Sequence, residues 1–248
     1  MAETKFPTEM VELPSKGYLY PEGHPLSSGK VEIKYMTAKE EDILTSQNLI
    51  NNGTVIDALL KSLIVDKQID LGDLLIGDKN AIMVAARILG YGKDYPFTYD
   101  GVEKSVNLSK LEPKDIDFSK ITKGQNEFHF KLPTSQRDVT FKVINGRDEK
   151  DIDAEVNAKE KINKNSSSEL TTRLKKMILS VDGKTDRAFI NGFVDNEFLS
   201  RDSLAFRQHV KTVTPDLDFD ITLTDSSGKE IEVTIPITLR FFWPDAWE

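Results

Sequence analysis

From residue 29 to 36 the chain reads Gly29-Lys30-Val31-Glu32-Ile33-Lys34-Tyr35-Met36, with polar and apolar side chains alternating. A period of two sends successive side chains to opposite faces of an extended backbone, so this stretch predicts a half-buried strand. Thr37 and Glu40 then have the spacing of a capping box, which predicts that the strand gives way to a helix there. Within 54–66 the period changes. Val55, Ile56, Leu59, Leu60, Leu63 and Ile64 fall in adjacent pairs every four positions and form one broad helical stripe, with Asp57, Lys61 and Ser62 on the other side. A further helix is expected over 78–89, opened by Asp78 as its N-cap and closed by Gly90 and Gly92. Alternation returns at 95–108 around an Asp100-Gly101 turn, and at 127–133 and 138–144 around Pro133-Thr134-Ser135, which predicts a small sheet of short strands.

Residues 148–164 are crowded with charge and read as an exposed helix running into a flexible linker at 163–168. Helices are then expected over 170–181, ending at Asp182-Gly183, and over 200–210, where Pro215 bars continuation. The stretch 219–237 alternates on both sides of Asp225-Ser226-Ser227-Gly228 and is the clearest hairpin in the chain. Each hairpin, at 95–108 and at 219–237, follows a helical stretch, so a helix-then-hairpin unit used twice is anticipated. The pattern as a whole predicts an α+β fold. Its segments are an N-terminal extended arm and strand (1–36), a helical module (37–92), a small antiparallel β region (93–146), a charged helix with linker and second helical module (147–214), and a C-terminal hairpin with an aromatic tail (215–248).

Composition narrows the chemistry. The 248 residues carry 33 basic and 41 acidic side chains, a formal net charge of -8, which argues against a generic nucleic-acid binder. The cluster Arg173, Lys175, Lys176 reads as a solvated face. Cysteine is absent, which excludes disulfides, a thiol nucleophile, iron–sulfur clusters and cysteine-ligated zinc. No apolar run approaches the ~20 residues needed to span a bilayer. The first seven residues also lack the apolar stretch of a signal peptide, so a cytoplasmic chain with no membrane partner is expected.

His24, His129 and His209 are scattered, with no pair at helical ligand spacing. There is no G-x-S-x-G elbow, Walker loop or G-x-G-x-x-G fingerprint. Acidic pairs such as Glu40 with Glu41, or Asp148 with Glu149, are too easily found among 41 acidic residues to mark a site and read as surface. No cofactor is expected. The ending Phe241-Phe242-Trp243-Pro244-Asp245-Ala246-Trp247-Glu248 is more telling, because chain ends are usually polar. Its rings either complete this chain's own core or anchor in a partner.

Several stretches together resemble the T4-type bacteriophage baseplate hub assembly proteins and hub subunits. They are Leu13-Pro14-Ser15-Lys16-Gly17 with Tyr20-Pro21, the run Val31 through Leu44, Leu74-Leu75-Ile76-Gly77-Asp78-Lys79-Asn80, Ala85-Ala86-Arg87-Ile88-Leu89-Gly90-Tyr91-Gly92, Val181-Asp182-Gly183 and Phe242-Trp243-Pro244. The resemblance implies a late, non-enzymatic protein that acts in host cytoplasm on the central hub of a contractile-tail baseplate, with other hub and tail proteins as partners. Some relatives assist assembly and are not established parts of the finished particle, while others are hub subunits in the virion. A transient assembly chaperone is therefore the nearer alternative, and a hydrolase without a recognisable motif is the alternative of another class. Tyr18, Tyr20, Phe241, Phe242, Trp243 and Trp247 are the candidate partner contacts. Some relatives carry cysteine pairs, like small zinc ribbons, in the regions matching the two hairpins. This chain has none there, so a metal-free pair of hairpins must rest on apolar packing by Phe97, Tyr99, Val102, Val106 and Leu108, and by Phe219, Ile221, Leu223, Ile231, Val233 and Ile235.

Overall fold

The computed structural model describes residues 7–162, 168–224, 230–235, 237 and 239–242. Among these, helices and small antiparallel sheets combine in an α+β fold around one large apolar core, with a smaller cluster of Ile144, Ile152 and Met177 apart from it. The N-terminal arm is not free. Strand β1 (Thr8–Glu12) pairs antiparallel with β2 (Lys30–Lys34), and the chain between them folds into tight turns, one of them the 3-10 turn Pro25–Ser28. Helices α1 (Ala38–Thr45), α2 (Gln47–Asn51), α3 (Val55–Leu63) and α4 (Ile76–Tyr91) follow. The paired apolar positions of α3 bury Val55, Leu59, Leu60 and Leu63, which is why that stripe forms. Gly92 ends α4 with φ 86°, a conformation that favours glycine.

The strands predicted between 95 and 144 do not join in one sheet. Strands β3 (Asp94–Tyr99) and β4 (Val102–Asn107) form a separate hairpin. Strands β5 (Phe128–Lys131) and β6 (Asp138–Phe141) belong to a three-stranded sheet completed by β7 (Ile178–Val181). That last strand lies inside the helix expected over 170–181, which ends four residues early, at Met177. Ile178, Ser180 and Val181 are buried beside β6, and a β-branched stretch with both faces covered gains more as strand than as another helical turn. Helix α5 (Gly146–Ile162) is the charged helix, and of the linker expected over 163–168 all but Ser168 lies outside the described residues. Helix α6 (Glu169–Met177) precedes β7; α7 (Arg187–Asn196), α8 (Ser200–Val213) and the hairpin β8 (Asp220–Thr224) and β9 (Glu230–Thr234) follow it.

The repeat is larger than the hairpins. Strands β1 and β2, helix α3, helix α4 and hairpin β3–β4 recur in order as β5 and β6, α6, α8 and hairpin β8–β9. Leu13-Pro14-Ser15 and Leu132-Pro133-Thr134 make the turns after β1 and β5. At the end of β2, Lys34 Nζ reaches Glu40 Oε1 at 2.7 Å while the Thr37 N–H donates to the same carboxylate at 2.9 Å. After β6, at the same spacing, Lys142 Nζ reaches Asp148 Oδ1 at 2.7 Å and the Asn145 N–H donates to that carboxylate at 3.3 Å. The residues flanking α3 and α6 match in conformation, Thr54 with Ser168 before and Ile64 with Ile178 after. Asp78 and Asp202 each occupy the third position of their helices, and both are buried.

The halves meet where 144–147 crosses the entry to α4. Gly146 N–H donates to the Leu74 carbonyl and Arg147 N–H to the Gly72 carbonyl, each at 2.9 Å. A Cβ on Gly146 would stand 2.7 Å from the Leu71 carbonyl oxygen, so that crossing requires glycine.

Candidate functional site

Two buried polar clusters draw on several of the stretches that carry the sequence resemblance. The first begins after β1. Lys16 and Gly17 take positive φ (50° and 77°), and the Tyr18 N–H donates to the Ser15 carbonyl at 2.9 Å, which closes a tight turn. A Cβ on Gly17 would lie 2.3 Å from the Ser27 carbonyl oxygen, so the turn presses against the chain entering β2. Helix α4 points Asp78 into this turn. Its carboxylate accepts from the Ser15 N–H (2.9 Å), the Ser15 Oγ (2.6 Å) and the Tyr20 hydroxyl (2.6 Å). The Tyr20 oxygen in turn accepts from the Leu75 N–H at 3.0 Å, and its ring stacks on His24 with centroids 5.5 Å apart.

Asp78 is therefore not the N-cap. Leu75 holds that position, and Asp78 bonds to a distant turn instead of its own helix. Asp202 plays the matching part in the second half, accepting from the Thr134 and Ser135 N–H groups at 2.7 and 2.9 Å.

Glu40 and Asp78 are both fully buried, yet their acidities move oppositely. Burial raises both, but the Lys34 ammonium with the Ser62 and Thr37 donors outweighs it at Glu40 and holds that carboxyl at about 2. Among the described residues no cation pairs with Asp78; burial pushes its carboxyl up despite the bonds from Ser15 and Tyr20, and nearby Asp216 adds to the rise. Because Glu40 is more acidic folded than unfolded, its stabilisation is complete above about pH 4.5 and is lost as pH falls toward 2. Urea unfolding of the parent and Glu40→Gln between pH 5 and pH 2 should show the parent losing about 3 kcal/mol more than the variant. Parallel pH dependences would contradict this account of Glu40.

The second cluster closes the C-terminal end. Arg87 on α4 is buried, with Nε donating to the Phe241 carbonyl at 2.9 Å and Nη1 to the Gly92 carbonyl at 3.1 Å. Its guanidinium also lies 5.2 Å from the Tyr91 ring centroid and 5.9 Å from that of Tyr95. Phe241 packs on Tyr95 at 5.0 Å and edge-on to Phe242 at 5.4 Å.

The six candidate contact residues thus separate. Tyr20, Phe241 and Phe242 are inside this chain's own core, so the first reading of the tail describes both phenylalanines. Tyr18 is half-buried, with its ring 4.9 Å from Phe118. Trp243 and Trp247 lie outside the described residues.

No family model, curated protein or solved structure matches the chain.

The polar residues that organise these clusters, Ser15, Asp78, Arg87 and Asp202, were not among the sequence candidates as a group. The available signal was the recurrence of Leu-Pro-Ser/Thr before the two halves' first helices and of Lys-x-x-Thr/Asn-x-x-Glu/Asp at their starts. Glu40 and Asp148, read as surface carboxylates, are buried as well, because each serves a lysine and a helix start. Arg173 pairs twice with Glu149 at 2.9 Å, Lys175 with Asp195 and Lys176 with Asp151. Among the described residues no group of three or more His, Asp or Glu is placed to hold a metal, and no helix is long and apolar enough to cross a membrane.

Proposed function

We propose that this chain is a non-enzymatic protein that promotes assembly of, or forms part of, the central hub of a phage contractile-tail baseplate, through protein contacts made in the host cytoplasm. The observation that carries this reading is the end-to-end series of stretches resembling the hub assembly family, from Leu13-Pro14-Ser15-Lys16-Gly17 to Phe242-Trp243-Pro244. The folded chain supports it by bringing some of those stretches together. Ser15 and Tyr20 meet Asp78, which joins distant matching pieces, and Arg87 meets Phe241, the residue just before the closing piece. The non-enzymatic part draws on the buried carboxylates. Glu40, Asp78, Asp148 and Asp202 each hold a turn or a helix start, so their acceptor capacity is spent on architecture.

Mass spectrometry of infected-cell lysate beside purified tails tests the reading. The chain should co-purify from lysate with hub precursors; presence in finished tails marks a subunit, and presence in lysate alone marks a transient chaperone. Failure to associate with any hub protein at either stage would refute the proposal.

A further inference from the structure

The repeat exposes an inequality between the halves. In the first half, the start of α4 is covered by the chain that leaves α8. The Pro215 carbonyl oxygen comes so close to Gly77 that a Cβ there would stand 1.9 Å away. Asn80 Nδ2 donates to Asp216 Oδ1 at 3.1 Å, and the Lys114 ammonium is 3.8 Å from the same carboxylate. An extended segment with a proline, a carboxylate and the buried Leu217 therefore lies across the α4 face.

The equivalent face of the second half is open. Gly77, Ala81 and Val84 on α4 are all buried, whereas at the same positions of α8 Arg201 and Gln208 are exposed and Ala205 is half-buried. Leu204, the counterpart of Asn80, is 50% exposed. Arg201, the counterpart of Gly77, is exposed and makes no ion pair among the described residues. With Pro133, Thr134, Ala205 and Gln208, Arg201 and Leu204 line a shallow groove of about 510 Å³.

We propose that this groove is a docking site for an extended, proline-containing acidic segment of another protein. Two features choose that occupant. The matching face already seats such a segment within this chain, with a carboxylate held one turn into the helix. The changed residues also suit an acidic guest: Arg201 forbids the backbone approach that Gly77 allows and supplies a cation for a carboxylate, while Leu204 supplies apolar surface in place of the polar Asn80. The guest rides higher on α8 than 214–217 rides on α4, held by an ion pair and an apolar contact. The inference rests on the repeat and not on the assignment to a baseplate hub, so its test leaves that assignment untouched.

The probe is a fluorescein-labelled peptide of residues 212–219, the segment that this chain seats on α4. Fluorescence anisotropy against the full chain should show saturable binding. Leu204→Asp and Arg201→Glu should each weaken it by about tenfold, since each removes a contact worth roughly 1.4 kcal/mol. Replacing both peptide aspartates by asparagine should weaken binding to the parent but add little to the loss in Arg201→Glu. Both substituted side chains are exposed, so the variants should fold, and thermal melts matching the parent's are the check. Absence of saturation up to about 2 mM, where specific binding would be negligible, overturns the proposal. Binding that survives both substitutions places the peptide elsewhere and also overturns it. Concentration-dependent self-association abolished by Leu204→Asp would assign the groove to a second copy, against the proposal.

Discussion

Replacing Asp78 by alanine should lower the unfolding free energy by about 4 kcal/mol, which for one side chain is a large loss. The size follows from what is left behind. Ser15 N–H, Ser15 Oγ and the Tyr20 hydroxyl all donate to this carboxylate inside the core, and an unsatisfied buried donor costs roughly 1–3 kcal/mol. The three losses share one site and relax together, so they do not simply add. Asp78→Asn should cost about half as much, because its oxygen still accepts while its amide hydrogens face existing donors. Asp202→Ala removes the acceptor of two N–H groups and should cost about 2 kcal/mol. The two sites lie in different halves, so the double variant should lose close to the sum. Urea titrations at pH 7 check all four. A loss below about 1 kcal/mol in Asp78→Ala would show that the turn at 13–17 holds without its carboxylate.

Local chemistry was readable in the chain, and tertiary chemistry was not. The Thr37 and Glu40 box, the Asp-Gly hairpin turn and the glycine stop at Gly92 are settled by neighbours within a few positions, and each lies where the pattern put it. Asp78 had the residue type and place of a cap, but a partner 63 positions away makes stronger use of it. Strand β7 was hidden for a similar reason. Ile178 and Val181 continue the helical spacing of Leu170, Leu174 and Met177, and only the neighbouring edge of β6 makes an extended backbone preferable.

The apolar packing expected of the hairpins holds away from their tips. Leu108, Phe219 and Ile235 are buried and Phe97, Val106 and Ile221 pack half-buried on the core, while Tyr99 and Val102 stand 37% and 46% exposed at a tip that extends past it. The repeat was visible in the hairpins alone because its other markers are displaced unequally. The first half has a longer turn between β1 and β2 and the second an additional helix, α7, so no single offset aligns them. Among the candidate contacts, Tyr20, Phe241 and Phe242 are covered by this chain itself, because an aromatic ring reports that something must cover it, not which chain supplies the cover.

Arg87→Ala should cost about 3 kcal/mol and should also release the C-terminal segment from α4. The guanidinium is the link between this helix and Phe241, and its removal strands the Phe241 and Gly92 carbonyls and empties space beside Tyr95. Arg87→Lys separates charge from shape. An ammonium keeps the charge but does not span two carbonyls as the fork does, so lysine should recover less than half of the loss. Phe241→Ala leaves the arginine in place and removes a fully buried ring, at a cost of about 4 kcal/mol. Deleting 241–248 removes both phenylalanines and should abolish cooperative unfolding. Urea titration gives the energies, and limited proteolysis reports the release: cleavage near 240 should accelerate in Arg87→Ala by about as much as its lost stability implies when opening precedes cleavage. If the truncated chain melted like the parent, the two rings would be dispensable to the core despite their burial, and the tail would have to be explained by what it meets outside this chain.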